Sequence, residues 1–107
     1  METRIARGKL LDTVASMRRE GLTVSVIENE SDYRELLRTI LDITPGIRCL
    51  GSFADVETAL RILPMQTPDL LLLDLDLGER RLGGPEAIRA LKEKLPRLEV
   101  VVLSVHG

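Results

Sequence analysis

The apolar positions fall into two alternating rhythms. In residues 4–20, Ala6, Leu10, Val14 and Met17 recur at helical spacing with Leu11 beside them, so this stretch predicts a helix; Gly21 stands where a helix C-cap would. TVSVIE (23–28) is short and β-branched and predicts a strand. SDYRELLRTILDI (31–43) puts Tyr33, Leu36, Leu37, Ile40 and Leu41 on one helical face. Thr44-Pro45-Gly46 makes a turn, and IRCLGSF (47–53) a second strand that Gly51 interrupts. DVETALRIL (55–63) aligns Val56, Ala59, Leu60 and Leu63 on a helix that Pro64 is expected to stop. Residues 70–74, LLLLD, predict a strand buried on both faces. Pro85 suits a first helical position, and 85–95 carry Ile88, Leu91 and Leu95 on one stripe before Pro96. EVVVLS (99–104) is the fourth predicted strand. A helix followed by βαβαβαβ predicts an α/β fold with a parallel sheet and helices on both faces.

Composition narrows this picture. The length, 107 residues, suits one domain, and 44% apolar residues are enough for a core. Tyr33 and Phe53 are the only aromatic residues, which leaves little to stack on nucleic-acid bases. The formal net charge is -2: residues 1–21 carry five basic and three acidic side chains, the remainder ten and fourteen. Neither part points to nucleic acid or membrane. Cys49 is the single cysteine, so no intrachain disulfide can form, which fits a reducing compartment; cytoplasmic location is the expectation. Cys49 itself reads as a small core residue, His106 as a tail residue, and Arg80 and Arg81 as a solvated loop pair.

The chemistry gathers at the strand ends. Strand 23–28 ends in Glu28-Asn29-Glu30, strand 70–74 runs into Asp74-Leu75-Asp76, and strand 99–104 ends in Ser104. Ligands of open parallel sheets bind at these carboxyl ends. If the first and third strands are neighbours, several oxygen donors converge, which suits a hard cation such as Mg²⁺; a carboxylate beside Mg²⁺ can attack a phosphoryl group. The plainer alternative is that Glu28, Asn29 and Glu30 cap a helix and Asp74 is a solvated strand end.

With the acidic cluster, PDLLLLDLDL, GGPEAIRAL and VVVLS in this order, the chain resembles the receiver domain of two-component response regulators over residues 22–107. The likeness is greatest to receivers that precede a LuxR-type helix-turn-helix output domain. It implies a flavodoxin-like sheet of order 2-1-3-4, counted from strand 23–28, and a domain division into a helical extension, 1–21, and a receiver, 22–107. It implies Asp74 as phosphoacceptor facing a histidine kinase. Mg²⁺ would be held by Glu28, Asn29, Asp74 and the backbone carbonyl of Asp76, and Ser104 would be the switch hydroxyl. Catalysis in the enzymatic sense is not expected, and DNA would be engaged only through an output domain. Homodimers or higher oligomers would follow if helix 4–20 crosses to a second chain.

Three departures stand out. Asn29 takes the place of an expected aspartate. The loop GERRLGG (78–84) is about two residues longer than the pattern and lacks its proline. The fifth strand, its lysine and the last helix do not follow Ser104, so the receiver is expected to be truncated, with helix 4–20 docked where the last helix would lie. One alternative is a receiver-like interaction module that takes no phosphate. Another is a phosphatase resembling the haloacid dehalogenases, with Asp74 as nucleophile and Asp76 as acid-base, although Gly78 breaks that motif.

Overall fold

A computed structural model describes residues 2–17, 21–74 and 84–104. Five parallel strands, β1 (Glu2–Ala6), β2 (Leu22–Ile27), β3 (Ile47–Phe53), β4 (Leu70–Asp74) and β5 (Glu99–Ser104), form one sheet of order β1-β5-β4-β2-β3. Four helices connect them: α1 (Leu10–Met17), α2 (Ser31–Ile43), α3 (Val56–Gln66) and α4 (Gly84–Lys94). The predicted order of the four later strands holds, and their predicted residues agree to within one position.

β4 shows why the sheet holds together. Its side chains alternate between faces. Leu71 and Leu73 join Ile27, Val100 and Val102 beneath α3 and α4, where Ala59, Leu63, Ala87 and Leu91 point inward. Leu70 and Leu72 join Val24, Val26, Val101 and Leu103 on the other face, beneath α1 and α2, which contribute Leu10, Val14, Leu37 and Leu41. All five residues of β4 are buried. Two-sided burial explains the unbroken leucine run. Gly21 and Gly46 take positive φ, 81° and 84°, at the entries to β2 and β3, which fits a left-handed linker before each strand.

Two expectations are corrected. Residues 4–20 are not one helix: the first part is β1, then a 3-10 turn (Arg7–Lys9), then α1. β1 pairs with β5 from Glu2↔Val100 to Ala6↔Ser104. The outer edge of β5, expected to be bare, is thus covered by Glu2–Ala6. An open edge of Val-rich backbone offers five residues of pairing, and Thr3 and Ile5 suit a strand, while Gly8 weakens a continuous helix. The stripe survives in part: Leu10 and Val14 are buried as predicted. The second correction is α3, which runs through Pro64 to Gln66. Proline removes only one amide, and the turn closes because the Thr67 N–H, with Thr67 at φ 45°, donates to Leu63 at 2.8 Å.

Candidate functional site

The parallel register brings three strand ends together. Asp74 ends β4 opposite Leu103, Glu28 follows Ile27 of β2, which pairs with Leu73, and Arg7 follows Ala6, which pairs with Ser104. Asp74 and Glu28 are fully buried, at 0% exposure. Neither is a solvated strand end. The three-residue acidic cluster divides by role: Glu30 is the N-cap of α2, accepting from the Asp32 and Tyr33 amides, and Glu28 turns inward. One Glu28 oxygen accepts the Glu30 amide at 2.9 Å, and its backbone carbonyl accepts from the Arg34 guanidinium at 2.8 Å.

Arg7 closes the cluster. Its Nη2 ion-pairs with Asp74 Oδ2 and lies 3.4 Å from Glu28 Oε1. The guanidinium sits over the Tyr33 ring, 4.7 Å from the centroid, a cation–π arrangement. Its Nε is buried without a hydrogen-bond partner. Burial, together with the hydrogen bond to Asp74, pushes the Glu28 carboxyl up to about 8, while the Glu30 amide and Arg7 pull the other way. The direction is the one expected for two carboxyls sharing a site with a single cation.

The donor set fits Mg²⁺. That ion needs hard oxygen ligands, is held by one or two carboxylates, and keeps several waters. Glu28 and Asp74 are two such groups, already sharing a cation. Among the described residues no group of three or more acidic, histidine or cysteine side chains is placed to hold a metal ion. Asn29 is half-buried beside Glu28. Ser104 ends β5, but its side chain, like Asp76, His106, Gly78, Arg80 and Arg81, lies outside the described residues.

Sequence reasoning missed Arg7. The resemblance led to a search for a cation after Ser104, whereas the cation comes from the turn after β1, 67 residues before Asp74. Gly8 inside a predicted helix was the available signal.

A family model described as the response regulator receiver domain matches residues 24–107. The transcriptional regulatory protein DegU of Brevibacillus brevis is 28% identical over 85 residues, covering 79% of this chain and 35% of that protein. A protein-glutamate methylesterase/protein-glutamine glutaminase of Treponema denticola is 32% identical over 85 residues, covering 79% of this chain and 22% of the enzyme. The chain thus spans about a third of the length of the one and a fifth of the other. Among solved structures, RcsB from Salmonella enterica serovar Typhimurium, bound to promoter rprA with the phosphomimetic BeF₃⁻, superposes with a TM-score of 0.74 at 20% identity, covering 82% of this chain and 44% of that one. The response regulator domain of Thermotoga maritima CheB superposes at 0.69 with 24% identity, covering 80% and 61%.

Proposed function

The chain belongs to the response regulator receiver family, and on that footing we propose that Asp74 is the phosphoacceptor of a two-component signalling protein. The observation that carries the reading is the pairing of two buried carboxyl groups, Asp74 and Glu28, at adjacent strand ends under one cation. In the reaction, an Asp74 oxygen forms a bond to phosphorus as the P–N bond to the imidazole of a histidine kinase breaks. The electron pair leaves with the imidazole, which a proton then neutralises. Mg²⁺, held by Glu28, Asp74, Asn29 and the Asp76 carbonyl, would supply charge neutralisation to the phosphoryl oxygens. Ser104 would be the hydroxyl that turns toward the phosphoryl group.

Residues 2–17 hold the place that the resemblance gives to the fifth strand and last helix, and Arg7 supplies the positive charge that the family's lysine would bring. Residues 2–17 are accordingly read as packing into the same domain as the strands and helices after Gly21. The partner is a histidine kinase in the cytoplasm, and DNA contact would require an output domain. No helix among the described residues is long and apolar enough to cross a membrane.

The test is intact mass after incubation with a small acyl phosphate and Mg²⁺. Wild type should gain one phosphoryl group and Asp74→Asn none. Absence of added mass on wild type would favour a phosphate-independent interaction module, and retention of the added mass in Asp74→Asn would place the acceptor elsewhere.

A further inference from the structure

We propose that Arg7 is a tethered cation occupying the place of the divalent ion between Glu28 and Asp74, and that Mg²⁺ enters by driving it off the carboxylates. The inference rests on the metal reading above.

The first observation is that one nitrogen, Nη2, reaches both carboxyl groups. A divalent ion bound by the same two groups must stand at nearly the same point, and two cations cannot share it. The second is cover. The Arg7 side chain is 31% exposed while both carboxylates are at 0%, so the guanidinium lies on the solvent side of the cluster. Asp74 is held in an ion pair while Arg7 stays. The third is that the pose is incompletely satisfied. Nε is buried without a partner, and moving out would restore a hydrogen bond with water. Arg7 also has somewhere to go. It opens a 3-10 turn with no side-chain cap, and apart from the adjoining residues no atom approaches within 4 Å of a Cβ built on Gly8.

The consequence is an ordered site. Without Mg²⁺ the nucleophile is paired with Arg7. With Mg²⁺ the guanidinium is released from the carboxylates and from the Tyr33 ring, still tethered to the turn after β1, and its fork of donors is free to pair with the oxygens of an anion attached to Asp74. Metal uptake and release of the nucleophile from its ion pair become one event.

The decisive variant is Arg7→Met, which keeps an apolar stem against Tyr33 and removes the charge. Calorimetric titration with Mg²⁺ should give a dissociation constant lower than that of wild type by about tenfold, the equivalent of about 1.4 kcal/mol for the competing ion pair that is removed. Equal or weaker affinity in Arg7→Met overturns the proposal. Tyrosine emission gives an independent reading, because Tyr33 is the only tyrosine and there is no tryptophan. Mg²⁺ should change wild-type emission with the same midpoint as the calorimetric curve, as the guanidinium leaves the ring. If the variant does not fold, this wild-type titration decides alone, and unchanged emission at saturation overturns the proposal. The two readings fail differently. Equal Mg²⁺ affinity in both proteins removes the competition but keeps the metal site; no binding to either removes the metal site and the competition with it.

Discussion

Leu10→Ala tests whether the N-terminal unit is integral to the fold. Leu10 is 5% exposed and packs with Val14, Leu72, Val101 and Leu103 on the face shared with α2. Truncating a buried leucine removes transfer free energy and leaves a cavity, together costing about 2–5 kcal/mol, and about 3 kcal/mol is a fair centre. Alanine does not weaken α1 itself, so the loss reports packing alone. For a domain of 107 residues the unfolding entropy is about 0.2 kcal/mol per degree, and a 3 kcal/mol loss lowers Tm by about 13 °C. That is a large share of the roughly 5–15 kcal/mol a small domain has in total. Leu11 is the internal control: it is 66% exposed on the same helix, and Leu11→Ala should cost less than about 0.5 kcal/mol. Thermal unfolding followed by far-UV circular dichroism reads both. Equal shifts for the two variants would mean that α1 does not dock on the sheet, and the assignment of residues 2–17 to the domain would fall.

Two further outcomes follow from the interior. Glu28 has its folded pKa raised from 4.5 to about 8, chiefly by burial, so the folded protein binds a proton the unfolded chain has released between those values; metal-free stability therefore falls as pH rises from about 4.5 to about 8. Urea midpoints should decline across that window in wild type and much less in Glu28→Gln, and parallel profiles would contradict the assignment. At Gly51, an added Cβ would lie 2.6 Å from the Gln66 amide nitrogen, and Gln66 bridges the buried Ser25 hydroxyl at 3.1 Å and the Leu50 carbonyl at 3.2 Å. Gly51→Ala should displace Gln66 and cost about 1–2 kcal/mol in denaturant unfolding, through the unsatisfied serine; a change below about 0.5 kcal/mol would show that Gln66 yields without loss.

What the sequence disclosed and what it hid divide along one line. α2 was legible because Leu37 and Leu41 repeat at helical spacing and are both buried. β4 was legible because four leucines before an aspartate have few other uses, and Asp74 lies where that pattern put it. These signals are local. β1 was not legible, because Ala6, Leu10 and Val14 also satisfy a helical repeat, and what decided against it was an edge of β5 almost a hundred residues away. The split of Glu28 from Glu30 was similarly hidden. Both are acidic residues ahead of a helix, and only the neighbouring strand end shows that one caps α2 while the other meets Asp74. Pro64 misled in the opposite direction, since a strong local signal was overridden at the last turn of α3.

The position of β1 shows what a parallel sheet requires of its edge strand. β1 has one hydrogen-bonded neighbour, β5, and runs in the same direction, so its carboxyl end necessarily lies at the end where Asp74 and Glu28 sit. Adjacent strands are about 4.8 Å apart, which places an arginine at the end of β1 about two strand spacings from β4, within the span of its extended side chain and the turn that carries it. A cation at this site is therefore specified by neighbour and direction, and these are indifferent to whether the strand comes first or last in the chain. The same holds for α1, which needs only to present Leu10 and Val14 to the face left open beside α2. A reading that follows the order of the sequence looks for a positive charge after Ser104; a reading that follows the sheet finds one at Arg7, on the turn after the edge strand.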